Sequence, residues 1–498
     1  MPLLDSEDLK IALRDLTGIF KIACIIMLIP ILFTIYYSQD KSPLNLVLRS
    51  LVFTVPSLVF LMLYKYFKKF YVIDKQTQTK HALISVSIAW LVFAAVGSLP
   101  FMIRGTLNPV DAFFESMSGW STTGMTMIEY PELLFGGNED ILFYRSLTHL
   151  VGGVGIIALG LMILIHSGTA AMTYYSSEVG SHRIKPGIKN TVYETWKIYL
   201  LYTLAGVVLF YLAGMTPFDA LNHAFAAIAT GGFSTHSKSI AYFDSAMIEV
   251  VAIFLMLIGS ISFLVHYRFF IGDYKYFQKN IETRYMFTII LIATSVISLS
   301  FLLSNDIIGV NVASIFDVFR KAVFQVVSSV SCTGFSTVNA GDWPPLSQTV
   351  LMVLMYTGGF YGSTAGGIKL LRLAVVVKAI HYTTMKMALP KSAVVSLKVS
   401  EKTIEDKEIL YVLGLSMAYL MISILGAGIL MALGYDGLDS MSVSLSAMGN
   451  VGIVYITGDS WFNMPAVGKL VLAGLMWVGR LEIFPILLVL RSVMNVRR

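Results

Sequence analysis

The sequence predicts an all-α polytopic membrane protein, with four span–pore-helix–span repeats around one central pore and two extra transmembrane helices before them. Three observations carry that reading. Of 498 residues, 56% are hydrophobic and 13% charged, about half the charge of a soluble domain, and the mean hydropathy is +0.74. Apolar runs of about 20 residues, the length that crosses a bilayer as a helix, recur along the chain. Finally, one pattern occurs four times without a gap: DAFFESMSGWSTTGMT from Asp111, DALNHAFAAIATGGFS from Asp219, KAVFQVVSSVSCTGFS from Lys321 and DSMSVSLSAMGNVGIV from Asp439. In each copy a glycine falls thirteen residues after the first residue, giving Gly124, Gly232, Gly334 and Gly452.

The first apolar run, from about Ile19 to Tyr36, follows a stretch that mixes Asp5, Glu7, Asp8 and Asp15 with Lys10 and Arg14. No small-residue cleavage pattern follows it, so it reads as a retained helix and not a secretory signal. Spans are expected near 19–36, 48–67, 83–103, 145–166, 197–214, 246–266, 285–304, 347–380, 408–433 and 466–490. That is ten crossings with both termini on one side. The loops of that side hold Lys65, Lys68, Lys69, Lys75, Lys80, Arg183, Lys185, Lys189, Arg268, Lys275, Lys279, Arg284, Lys386, Lys391, Lys398, Lys402, Arg491, Arg497 and Arg498. By the positive-inside rule this side is cytoplasmic, and all four glycine loops open from the outer face. Translocation bias and lipid head groups account for these lysines better than nucleic-acid binding does. The organisation is then an N-terminal helix pair (1–75) and four pore repeats (76–190, 191–280, 281–400 and 401–498). The stretches 167–196 and 381–407 read as cytoplasmic linkers or docking loops.

The repeated helix is too short to cross, since about thirteen residues suit a re-entrant segment. Irregular backbone at membrane depth survives only where protein buries it or it lines a watery path. Asp111, Asp219 and Asp439 begin three of these helices, where a carboxylate is expected to cap free N–H groups. The third copy has Lys321 there, but Asp317 lies one turn earlier and predicts a longer helix. The C-terminal, negative ends of four such helices would converge on the loops and favour a cation.

The loops supply the candidate ion-binding residues: Thr122, Thr123 and Gly124; Thr230, Gly231 and Gly232; Cys332, Thr333 and Gly334; Asn450, Val451 and Gly452. Glycine permits left-handed backbone and close approach of carbonyls to an axis, which is how a protein replaces the water around a bare cation. No acidic ring is present, which argues against selectivity for divalent ions. A second feature is TGGFYGSTAGG, Thr357 to Gly367, inside a long apolar segment. Glycine costs about 1 kcal/mol per residue against alanine in a helix, so this span should break at its middle. Gly358, Gly359, Gly362, Ser363, Thr364, Gly366 and Gly367 are candidate gate residues; close helix packing by small residues is the rival reading. Arg480, near the middle of the last span, costs about 2.5–3.5 kcal/mol to insert. It should therefore face the pore, pair with the glycine-rich segment, or make an ion pair with a neighbour's Glu482.

Other signals carry no chemistry. GGVGIIA at Gly152 to Ala158 meets a loose dinucleotide pattern, but it lies inside an apolar span and reads as a close-packed helix face. There is no Walker A motif, and the histidines have no partner at catalytic spacing. Cys24 and Cys332 suggest neither a disulfide framework nor a metal site.

With GGFYGSTAGGIKLLR and GRLEIFPIL beside the four glycine loops, the chain resembles the Trk/Ktr/HKT superfamily of potassium uptake proteins, TrkH branch. The resemblance spans nearly the whole chain, including the helix pair that the Ktr branch lacks. It implies that Gly124, Gly232, Gly334 and Gly452 are the glycines of one potassium filter, that 357–367 is an intramembrane gating loop, and that Arg480 lies below the filter. It implies a homodimer in the prokaryotic inner membrane, docked on a cytosolic ring of nucleotide-binding RCK domains of the TrkA type. Any nucleotide would thus sit in a partner, and this chain would hold no cofactor beyond transported potassium. Ile453 departs from the pattern, which leads one to expect proline or a small residue after the fourth glycine. The expected function is gated, channel-like potassium uptake driven by membrane potential. The alternative is a symporter coupled to protons or sodium. A membrane-embedded enzyme would need converging nucleophiles, bases or ligands, and none is seen in the sequence.

Overall fold

The computed structural model describes residues 6–72, 79–166, 188–304, 312–390, 396–399, 402–483 and 485–486. Lys75, Arg183, Lys185, Lys391, Arg491, Arg497, Arg498 and most of the stretch 167–196 lie outside the described residues. Six helices among the described residues are long and apolar enough to cross a membrane, or seven if one sharply bent pair counts as a single span.

Helices Ser6–Ile26 and Pro43–Lys68 form the leading pair. They pack through Leu16, Phe20, Val52, Phe53 and Phe60, in a core that also takes in Trp90 and Trp120 of the first repeat and Leu481 near the C-terminus. Four units follow. The first comprises Thr79–Gly97, the short helix Pro109–Trp120 and Glu139–His166. The second comprises Ile188–Leu212, Pro217–Ile228, and Ala246–Ser260 bent by 101° into Phe263–Phe270. The third comprises Ile281–Leu303, Val312–Val330, and a span in two pieces, Pro345–Thr357 and Leu370–Ala388. The fourth comprises Asp406–Ala432, Gly437–Gly449 and Ala466–Arg480. Between the last two units, strands Leu397–Val399 and Lys402–Ile404 pair antiparallel.

The long helices turn an apolar face outward. On Ile281–Leu303, Leu291 is 70% exposed and Leu299 54%, a surface that in water would be a liability and in lipid is solvated. The short helices are the reverse, with their serines and alanines buried at the centre of the four units.

The helix starts correct one expectation. The caps are Asn108, Thr216 and Asp436, whose side chains accept from backbone N–H groups of the first turn. Asp111, Asp219 and Asp439 sit three residues further on. Asp111 instead accepts from Asn108 and pairs with Lys469 at 2.5 Å. Asp219 accepts from Thr216 at 2.7 Å and from Thr235 at 2.6 Å. The third helix is longer, as expected, but not through capping by Asp317, which pairs with Lys321 at 2.6 Å within the helix. The place of Asn108, Thr216 and Asp436 is taken there by Val318. A valine offers no side-chain acceptor, so nothing stops the helix at that turn.

Candidate functional site

Each short helix ends the same way. The N–H groups of Thr123, Gly231, Thr333 and Val451 reach back five residues to the carbonyls of Ser118, Ala226, Ser328 and Ser446, at 2.8–3.0 Å. This is a Schellman closure, which needs a left-handed residue at its turn. That residue is Thr122 (φ 53°), Thr230 (φ 50°), Cys332 (φ 56°) and Asn450 (φ 50°). Asparagine enters this region readily, whereas a β-branched residue there is an outlier. A threonine takes this conformation in two repeats and a cysteine in a third, which marks it as a property of the site and not of one loop.

Two residues later come the glycines, also left-handed at φ 84°, 81°, 81° and 97°. Their surroundings form a closed cycle. A Cβ on Gly124 would overlap the carbonyl oxygen of Gly231; one on Gly232, that of Thr333; one on Gly334, that of Val451; and one on Gly452, that of Thr123. Each loop thus lays the carbonyl before its own glycine against the glycine of the loop before it, and the fourth loop returns to the first. The residues that follow, Met125, Phe233, Phe335 and Ile453, are all at most 5% exposed. Ile453 is therefore the counterpart of three other large, buried residues.

The first, second and fourth repeats share a further contact. Gly152, Gly259 and Gly479, on the spans that follow the loops, press against the carbonyls of Trp120, Ile228 and Met448 near the ends of the short helices. Of GGVGIIA, Gly152 and Gly153 thus pack closely, Gly153 against Ala229 and Tyr199, while the side chains of Val154 and of Ile156 to Ala158 lie outside the described residues. In the third repeat the following span is the broken one.

The break runs from Gly358 to Lys369. Left-handed Gly358, Gly362 and Gly367 (φ 69°, 74° and 71°) fold the segment back on itself. Leu370 N–H donates to the Gly359 carbonyl at 2.9 Å and Ile368 N–H to that of Tyr356 at 3.1 Å. Ser363 Oγ donates to the Phe360 carbonyl at 2.7 Å. The segment touches the second loop, where Thr364 Oγ1 lies 3.2 Å from Thr230 Oγ1. It also touches the fourth short helix, where Gly367 N–H donates to the Gly449 carbonyl at 3.1 Å, and Gly366 leaves no room for a side chain beside the same oxygen. Arg480, 7% exposed, donates to the carbonyls of Thr364 and Gly152, each at 3.0 Å. Of the three alternatives open to Arg480, this is pairing with the glycine-rich segment. Glu482 pairs with Arg372 at 2.6 Å instead.

Asn450, a filter candidate from its sequence, makes contacts that spacing did not foretell, and Glu115 and Arg145 were missed altogether. Asn450 donates across the ring to Thr123 Oγ1 at 3.0 Å and to the Met476 carbonyl at 3.0 Å. Glu115 and Arg145 form a fully buried ion pair at 2.7 Å behind the first loop. A signal existed for Glu115, an acid inside an otherwise uncharged stretch of short helix; none existed for which base would meet it.

A four-unit helical membrane fold with a closed ring of glycines and main-chain carbonyls at its centre defines a membrane-embedded transport protein. The chain belongs to the TrkH family of cation transport proteins, whose model matches residues 54–497. It is 35% identical over 485 residues to an uncharacterized cation transporter of Methanocaldococcus jannaschii, covering 97% of this chain and 96% of that one. It is 34% identical over 424 residues to the Trk system potassium uptake protein TrkH of Halomonas elongata, covering 83% and 85%. Its fold is similar to the crystal structure of the potassium transporter TrkH from Vibrio parahaemolyticus, with a TM-score of 0.82 and 30% identity over 97% of this chain and 98% of that one.

Proposed function

We propose that this chain takes up potassium through a gated, channel-like pore, driven by the membrane potential and selective through a carbonyl filter built from the four glycine loops. The cycle of contacts from Gly124 to Gly231, Gly232 to Thr333, Gly334 to Val451 and Gly452 to Thr123 carries the reading. Four loops closed on one another at their carbonyls can match a monovalent ion's hydration shell without any acid. The names of the Halomonas and Vibrio relatives supply the ion.

The segment Gly358 to Gly367, tied to Thr230, Gly449 and Arg480, is the proposed gate. A homodimer in the inner membrane with cytoplasmic termini, joined by a TrkA-type RCK ring that binds the nucleotide, completes the proposal. Passive flux is favoured over symport by the engagement of the buried carboxylates. Glu115 pairs with Arg145, Asp140 with Arg104, and Glu249 with Arg320. Glu282 accepts from Tyr361 N–H at 2.7 Å.

Labelled rubidium uptake into vesicles tests this. Uptake driven by an inside-negative potential alone is expected; uptake that needs a proton or sodium gradient would favour the symporter.

A further inference from the structure

Nine residues before the four glycines stand Glu115, His223, Gln325 and Val443, and two residues after them Thr126, Ser234, Ser336 and Val454. In three repeats these two positions are hydrogen-bonded. Thr126 Oγ1 lies 2.9 and 3.0 Å from the two Glu115 carboxylate oxygens. His223 Nε2 lies 2.9 Å from Ser234 Oγ, and because Nδ1 donates to the Asp219 carbonyl at 2.8 Å, Nε2 is the acceptor. Gln325 Nε2 donates to Ser336 Oγ at 3.0 Å. The fourth repeat replaces the strut by two valines in one apolar cluster. Each strut ties the strand leaving a glycine to the short helix behind it.

Among the described residues only the first strut is charged. Ser336 of the third meets Ser239 and Ala241 beyond the second loop through its main chain, whereas the first recruits an arginine that reaches the second loop itself. Arg145 donates from Nε to Glu115 at 2.7 Å, from Nη2 to Thr126 Oγ1 at 2.9 Å, and from Nη1 to the Ser234 carbonyl at 3.0 Å. Its guanidinium also lies 4.2 Å from the centre of the Phe233 ring. Glu115 accepts in addition from Met127 N–H at 2.7 Å. One guanidinium thus grips the residue two places past the glycine in both the first and second loops, which already meet at Gly124 and Gly231.

Stability is not a sufficient reason for this pair. A buried ion pair is often matched or bettered by apolar residues of similar volume, and the fourth repeat builds the same wall with valines. What a fully bonded pair adds is fixed geometry. We propose that Glu115 and Arg145 are positioning residues that hold the first and second loops at a set spacing and thereby determine which monovalent cation passes. The proposal rests on the filter reading above and extends it to residues that do not face the ion. Thr126 is the shared contact through which both act, and the apolar fourth wall is the compliant one.

The test uses the full-length protein in planar bilayers, with potassium on one side and sodium on the other. Reversal potentials are read for the parent, Glu115→Gln and Thr126→Val; the second variant removes one hydroxyl with little change of shape and serves if the first fails to fold. Loss of a charge-assisted hydrogen bond should lower the potassium-to-sodium permeability ratio about tenfold with current still present. A purely structural role would cut the amount of folded protein and leave the ratio alone. A selective parent with unchanged ratios in the folded variants overturns the proposal, whereas an unselective parent overturns the filter reading itself.

Discussion

The Arg480 guanidinium donates to the Thr364 carbonyl at 3.0 Å, joining the last span to the middle of the broken one. Its other terminal nitrogen holds the Gly152 carbonyl at the same distance, in the span after the first loop. Burying an arginine here is costly; both bonds offset part of that cost, and the one to Thr364 lasts only while the glycine-rich segment stays folded against loop two.

Arg480→Gln should therefore release the segment. Bonds from a charged donor contribute about 1.5–3 kcal/mol each, so loss of the tether should raise open probability at least tenfold, on the order of 1.4 kcal/mol. Single-channel recording at fixed voltage checks this; an unchanged open probability would show that Arg480 is only a structural anchor.

Shortening the segment itself, by deleting residues within 357–367, should raise leak more than Arg480→Gln does. It removes the contacts to Gly449 and Thr230 together. Vesicle leak that stays at the parent level would remove this segment from the gate.

Gly232→Ser should weaken potassium preference. The new Cβ would overlap the Thr333 carbonyl oxygen, so either the second or the third loop must give way, and φ 81° adds strain of about 1–2 kcal/mol for a residue with a Cβ. A fall of about tenfold or more in the permeability ratio is expected, since each 1.4 kcal/mol is tenfold. Selectivity equal to that of the parent would count against this glycine's place in the filter.

Cys332 offers a cleaner view of the strain, because its φ of 56° is set by the Schellman closure and not by its thiol. Both Cys332→Ala and Cys332→Gly lose the thiol, yet only glycine enters the left-handed region freely. The glycine variant should be the more stable of the two by about 1 kcal/mol, seen as a higher unfolding midpoint in detergent. An alanine variant at least as stable would mean that the loop relaxes out of this conformation.

The four-unit fold was legible because its signals are local and repeated: apolar length, a gap-free pattern, and glycines in register. The broken span was legible for the same reason, since five glycines between Gly358 and Gly367 make a continuous helix costly. The caps were misread by three residues. Asp111, Asp219 and Asp439 looked like the caps and are instead first-turn acids; the sequence does not say which of two nearby polar residues caps, and Asn108, Thr216 and Asp436 hold the N–H groups. The strained threonines were hidden because nothing in TTG or ATG distinguishes a left-handed threonine from an extended one. Arg145 and Asn450 act on partners 30 and 327 residues away, and such pairings come from the fold and not from spacing.

The central claim is tested most directly by the reversal potential of the purified protein in a bilayer with potassium facing sodium. A potassium filter gives a current without any coupling ion, reversing near the potassium equilibrium potential. A current that reverses near zero, or rubidium entry only with a proton or sodium gradient and no current at all, would contradict it.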